Sequence, residues 1–253
     1  VLDVDSATAD GAPLLHPDLE ADHLGELVEK TNITWWFRYE FGDPDKAFAD
    51  ASLIIDREFT YSTVHQGYIE PQTAIALWRE DDQIELWAST QGGFGARKQT
   101  AGLLGQPDSG VTVHPTEIGG GFGGKTTVYL TPFAALLSKK IRRPVKMVMD
   151  RKTVFEATGP TPAGKIRVKM GVNDDGRIVV AESTIRFEAG AFPGWVPETA
   201  SKSMFTCYNI PNTRVDGLDI LVNKPRVNSY RGPGAPQVTF ATESIVDEIC
   251  ERM

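Results

Sequence analysis

Residues 119–126 read GGGFGGKT, in which five glycines surround one phenylalanine ahead of Lys125 and Thr126. Glycine in this density suits a backbone that must approach a ligand closely or adopt positive φ. Its exposed amide groups can donate to the oxygens of an anion. Two nucleotide patterns fit the string: Gly119, Gly124, Lys125 and Thr126 satisfy a P-loop, and Gly119, Gly121 and Gly124 satisfy G-x-G-x-x-G. A P-loop helix starts at the Gly-Lys-Thr itself, but here TTVYL follows and Pro132 stands seven positions after Lys125. Proline at that point would remove a helical hydrogen bond and clash with the preceding turn. The dinucleotide pattern needs an acidic residue about 20 positions on, at the end of a second parallel strand. The next Asp is Asp150, beyond the Arg142-Arg143-Pro144 break. VKMVMD, ending at Asp150, resembles a magnesium-holding strand, so nucleotide binding through Gly119–Thr126 stays open as an alternative.

Other chemistry is sparse. Cys207 and Cys250 are the only cysteines and form no C-x-x-C pair, which leaves no self-contained zinc or iron–sulfur site. His16, His23, His65 and His114 have no partner at metal-ligand spacing and are assigned to structure. A formal net charge of -8 argues against a general nucleic-acid surface. No apolar run approaches the roughly 20 residues of a membrane span. Low cysteine usage fits a reducing compartment, hence the cytoplasm. The first residues lack a signal-peptide pattern and an initiator Met, so the chain is read as a piece of a longer polypeptide.

The loop needs elements to hold it. Residues 1 to about 32 are acidic and loop-rich, and the aromatic-dense Ile33–Asp43 stretch suits a strand. From Ala51 the pattern turns to short strands: ASLIIDREFTYSTV, TAIALWRE and, after the Asp81-Asp82 turn, QIELWAST. A short helix through Ala101, Leu103 and Leu104 ends near Gly105. VTVHPTEI is a strand feeding the glycine run, and TPFAALLSKKIRR is an amphipathic helix with Thr131 as N-cap and Pro132 at its first position. PVKMVMDR, GKIRVKMGV and, past the NDDGR turn, RIVVAESTIRFEAGAF are further strands, with a last helix from about Pro236. Mixed strands with a few helices and no strict alternation predict an α+β fold.

Three segments in order, STQGG (Ser89–Gly93), GGGFGGK (Gly119–Lys125) and SYRGPGAPQ (Ser229–Gln237), accompany HQGYIEPQTAIA (His65–Ala76) and CYNIPN (Cys207–Asn212). Together they resemble the molybdenum-binding subunit of the xanthine dehydrogenase and aldehyde oxidase family of molybdenum hydroxylases. The spacings agree: Gln91 precedes Phe122 by 31 positions and Pro211 precedes Arg231 by 20. The resemblance runs from about residue 50 to the end. It implies that residues 50–253 are the first part of a molybdopterin-binding domain, and that residues 1–49 are an acidic connecting segment trailing from a hammerhead-type domain.

By that resemblance, Gln91 hydrogen-bonds the apical oxo group of molybdenum, a task an amide performs without adding charge. Gly120, Gly121, Phe122 and Gly123 pass beside the metal and pterin, and Arg231 contacts the pterin cofactor. Phe122, Thr126, Thr199, Tyr230 and Pro233 lie along the substrate slot. Lys125 is read as solvated or paired. No protein ligand to the metal is expected, because pterin dithiolene sulfurs hold it. The cofactor is molybdopterin or its cytosine dinucleotide form.

Departures narrow the substrate. Thr126 replaces the Glu of the purine-oxidising branch and Thr199 replaces its Arg, so two substrate-orienting charges are missing. Pro233 stands where the family's R-G-F-G-like motif has an aromatic, which leaves the substrate slot one wall fewer, and Gly232 where carbon monoxide dehydrogenases have a Cys. The family's catalytic Glu lies beyond Met253. The implied protein is part of a molybdenum hydroxylase that oxidises an aldehyde or N-heteroaromatic carbon with water, a small organic substrate. Its partners are the remaining half of the molybdenum domain and the polypeptides that carry iron–sulfur clusters and FAD. The isolated chain is then an inactive piece, and a non-catalytic assembly fragment is a further alternative.

Overall fold

The computed structural model describes residues 1–253. In chain order the elements are α1 (Val4–Thr8), β1 (Ala21–His23), β2 (Glu26–Val28), β3 (Ile33–Phe41), α2 (Pro44–Ala49), β4 (Leu53–Tyr61), β5 (Thr73–Trp78), β6 (Ile84–Ala88) and α3 (Gly93–Leu104). They continue with β7 (Val111–Pro115), α4 (Thr131–Ile141), β8 (Val145–Val148), α5 (Arg151–Ala157), β9 (Gly164–Val172), β10 (Ile178–Gly190), α6 (Val196–Ser203), β11 (Thr213–Leu221) and α7 (Ala235–Arg252). The chain divides into two compact units. The larger comprises Val1–Val64, Thr161–Val227 and Gly232–Met253, and the smaller comprises His65–Pro160 and Asn228–Arg231.

In the larger unit seven strands form one mixed sheet in the order β2-β1-β3-β11-β10-β9-β4. Strand β10 runs parallel to β11 and antiparallel to β9, with Ile185 opposite Ile166. Alternation along β9 sends Ile166, Val168, Met170 and Val172 into the core, where they meet Ile185, Phe187 and the apolar residues of α6 and α7. On α7, Val238, Ala241, Ile245 and Ile249 recur at helical spacing and are buried. Burial of each valine or isoleucine among them contributes about 1.5–3 kcal/mol. Residues before Ile33, expected to be loop-rich, carry α1, β1 and β2, and Ile33–Phe41 is a strand paired to β11.

The smaller unit is built on a four-stranded sheet, β7-β6-β5-β8. Ala74, Ala76, Trp78, Ile84, Leu86 and Ala88 alternate inward from β5 and β6. They pack with Ala101 of α3 and Ala134 and Ala135 of α4. Small residues on both helices let them lie close to the sheet. Helix α3 ends at Gly105, whose φ of 63° gives a left-handed cap. Helix α4 starts one residue earlier than expected: Leu130 is the N-cap and Thr131 the first helical residue. The Thr131 hydroxyl is drawn sideways to the hydroxyl of Thr100, 2.8 Å away, and so ties α4 to α3. Mixed strands with few helices make this an α+β fold, as the sequence predicts.

Candidate functional site

Between Pro115 and Thr131 the chain forms no regular helix or strand, and the glycine run occupies the middle of this connection. Close approach of neighbouring groups accounts for two of the glycines. A Cβ on Gly121 would lie 2.4 Å from Gln91 Oε1, and one on Gly123 would lie 2.5 Å from the Ser229 carbonyl oxygen. Gly123 also has a φ of 101°, a backbone conformation that L side chains rarely adopt. Phe122 sits at a φ of 51° without being glycine. A left-handed residue of this kind costs about 1–2 kcal/mol, so its surroundings must hold it. They do so from two sides: the Arg231 N–H donates to the Phe122 carbonyl at 2.9 Å, and the Gly123 N–H donates to Gln91 Oε1 at 2.8 Å.

Gln91 stands just before α3, and its side-chain oxygen also accepts from the Lys125 N–H at 3.2 Å. The Gln91 N–H donates to the Lys125 carbonyl at 3.0 Å. Two amides converging on one atom make that atom the side-chain carbonyl. The NH2 end is then left with no acceptor in the chain. The backbone N–H groups of Gly120, Gly121 and Phe122 likewise have no acceptor in the chain. Arg231 is exposed, and its guanidinium makes no ion pair and no hydrogen bond. Loop, Gln91, Tyr230 and Arg231 all belong to the smaller unit. It therefore brings together three free amides, one free carboxamide donor, one free cation and the half-exposed ring of Phe122.

Lys125 has a different fate. Only 1% of it is exposed, its Nζ lies 2.6 Å from Glu70 Oε2, and it sits 4.9 Å from the centre of the Tyr68 ring. Glu70 also accepts from the Gly119 N–H at 2.9 Å. Partial burial pushes the Glu70 carboxyl up, but the hydrogen bonds from Lys125 and Gly119 and the Lys125 charge outweigh it and hold the group below its usual range. A P-loop lysine must reach the terminal phosphates, and this one is turned into the protein. Thr126 donates its hydroxyl to the Gly123 carbonyl at 2.8 Å, and the following helix starts only at Thr131. The nucleotide alternative is therefore not favoured.

Of the remaining expected site residues, Thr199 and Pro233 lie in the larger unit, where the Thr199 hydroxyl donates to the Pro233 carbonyl at 2.8 Å. The histidines have structural partners: His16 meets the Ala191 carbonyl, His23 the Ile33 carbonyl and His65 the Thr158 hydroxyl, while His114 stacks on Trp87. Sequence reasoning assigned no role to Gln66, Tyr68, Glu70 and Gln72. Gln66 Nε2 donates to the Ser229 carbonyl at 2.7 Å, and Gln72 Nε2 donates to the Gly124 carbonyl at 3.1 Å. Their every-second-residue spacing was the available signal, since an extended segment turns such residues to one side.

Backbone and amide donors beside one arginine, on a loop of an α+β fold, are the groups that an oxygen-rich anionic ligand requires. Residues 26–253 match the family model described as the molybdopterin cofactor-binding domain. The chain belongs to that family, the one that includes the molybdenum subunits of xanthine dehydrogenases and aldehyde oxidases. It is 25% identical over 256 residues to the nicotinate dehydrogenase large molybdopterin subunit of Eubacterium barkeri, covering 100% of this chain and 57% of that protein. It is 31% identical over 258 residues to the indole-3-acetaldehyde oxidase of Arabidopsis thaliana, covering 93% and 19%. Among solved structures, the aldehyde oxidoreductase of Desulfovibrio gigas superposes with a TM-score of 0.86 at 24% identity, over 97% of this chain and 26% of that one, a likeness of fold. The chain thus spans about half or less of the length of these relatives. The donors on the loop fit a molybdenum–pterin group, whose oxo and phosphate oxygens accept hydrogen bonds and whose negative charge suits Arg231.

Proposed function

We propose that this chain is the first part of the molybdenum-binding portion of a hydroxylase that oxidises an aldehyde or N-heteroaromatic carbon, with water as the oxygen source. The observation that carries this reading is the cluster of donors without acceptors: the Gly120, Gly121 and Phe122 amides, the Gln91 NH2 and the Arg231 guanidinium. When bound, the molybdenum–pterin supplies the two-electron redox change and Lewis acidity. The residues of this chain bind and orient it. Gln91 donates to an oxygen of the group without altering charge, the three amides donate to further oxygens, and Arg231 offsets negative charge. Phe122, Thr126 and Tyr230 are assigned to the substrate slot. The cofactor is molybdopterin or its cytosine dinucleotide form.

Neither Thr126 nor Thr199 carries charge, and both hydroxyls are spent on backbone carbonyls, which supports a substrate other than a purine. The proton-accepting carboxylate, the rest of the cofactor pocket and the iron–sulfur and flavin carriers are assigned to the remainder of the molybdenum domain and to partner polypeptides. The isolated chain is therefore inactive, and the complete enzyme works in the cytoplasm. Residues 1–49 are assigned to the tail of a preceding hammerhead-type domain. A panel of aldehydes, N-heteroaromatics and purines, assayed with the protein purified together with its accompanying polypeptides, tests this. Turnover of members of the first two groups and none of the purines is expected. Purine hydroxylation at equal efficiency would contradict the substrate assignment, and no turnover of anything would contradict the reaction.

A further inference from the structure

The orientation of the Gln91 amide depends on a side chain that never touches it. Gln91 Oε1 accepts from the Gly123 and Lys125 amides, and the Gln91 N–H donates to the Lys125 carbonyl, so the backbone at Lys125 sets how Gln91 sits. The Thr90 hydroxyl donates to that carbonyl as well, at 3.2 Å. The Lys125 side chain anchors this backbone from the other side. It is fully buried, and its only carboxylate partner is Glu70, at 2.6 Å. Glu70 closes the other end of the same loop, since its side chain accepts from the Gly119 N–H and its own N–H donates to the Gly119 carbonyl at 3.1 Å. One carboxylate thus ties together the first and seventh residues of the run Gly119–Lys125. A buried ammonium without its counter-charge is costly, so the pair acts as a latch that opens only when one partner is removed.

We infer that Glu70, acting through Lys125, is a positioning residue for Gln91: the latch keeps the carboxamide oxygen engaged with the loop and its NH2 end turned over to the cofactor. This rests on the cofactor assignment proposed above. A loosened loop would release Oε1, and the amide could then present either end to the ligand. A merely structural Glu70 would act on stability alone, whereas a positioning Glu70 must act through Gln91.

The test is a double-mutant cycle in the protein purified with its accompanying polypeptides. Glu70→Gln is made alone and in a Gln91→Ala background. It is read by kcat and KM on an aldehyde, by molybdenum per chain and by amide hydrogen exchange across residues 119–125. Alone, Glu70→Gln should speed exchange of this segment by about tenfold or more and lower kcat about tenfold with KM little changed. In the Gln91→Ala background it should lower kcat no further, because the group it positions is gone. Equal losses in both backgrounds, or exchange unchanged from wild type, would overturn the latch. If Glu70→Gln does not fold, the neutral pair Glu70→Gln with Lys125→Met takes its place and must show the same faster exchange. A wild-type protein lacking molybdenum and turnover would sink the cofactor assignment, and the exchange measurement would still decide the latch.

Discussion

Gln91 is the residue on which the proposed chemistry can be probed most cleanly, because its two ends do different work. Its oxygen holds the Gly123 and Lys125 amides, and its NH2 is the free donor. Gln91→Glu keeps an oxygen for the loop and removes the donor. Turnover should drop about tenfold or more, because one hydrogen bond is lost and a negative charge is placed against an anionic ligand, with the melting temperature unchanged. Unaltered turnover would return Gln91 to a role in loop architecture alone. Gly121 shows the same dependence from the other side, since any side chain there meets the Gln91 carboxamide within 2.4–2.9 Å. At this scale the sequence pointed to residues that the smaller unit brings together. Gln91, the glycine run and Arg231 all carry the pattern. Glu70 and the burial of Lys125 were hidden, because a lysine after glycines looks the same whether it reaches for phosphate or for a carboxylate 55 positions earlier in the chain.

Elements with their own local signals were legible in the sequence. Strands β4, β5, β6, β9 and β10 alternate, and α3 stops where Gly105 supplies positive φ. Gly105→Ala should destabilise the protein by about 1 kcal/mol through backbone strain alone, because nothing lies within 4 Å of the added methyl group. Denaturant titration would measure it, and an unchanged midpoint would show that the cap carries no strain. Short helices were not legible. Helices α1, α2, α5 and α6 run only five to eight residues, too few for a periodic pattern to emerge. Strand β11 was missed because it is buried along most of its length and shows little alternation, and because Asp216 and Asp219 read as surface residues. Both are in fact partnered: Asp216 takes Arg38 and Trp36, and Asp219 takes Thr34 and Gly194. Asp219 stays largely buried, and desolvation raises its pKa against these donors. Thr131 was misplaced by one residue because the hydroxyl that suits a cap is engaged by Thr100, a tertiary contact no local pattern reports.

Across the molecule a net charge of -8 conceals local pairing. Arg214 alone joins Glu40, Asp45 and Glu182, and its pKa is raised chiefly by hydrogen bonds to Asp45 and Glu40. The Arg214 hydrogen bond in turn lowers the pKa of Asp45, so this carboxyl contributes stability above its ordinary value of 3.8 that is lost as pH falls through its folded-state value. Arg214→Met should therefore lower the melting temperature at pH 7, where three carboxylates would face one another. The difference from wild type should shrink toward pH 3 as they protonate. An equal difference at both pH values would mean that packing, not charge, is what Arg214 provides. The family is set by the match over residues 26–253, and the chain covers 57% or less of the relatives compared with it. What it holds is the remaining question at this scale. Elemental analysis of the protein, purified with its accompanying polypeptides, should find close to one molybdenum per chain in the wild type and a large loss after Gly121→Val, which drives a side chain into the Gln91 carboxamide. Molybdenum absent from the wild type, or retained in full by Gly121→Val, would contradict a cofactor site at this loop.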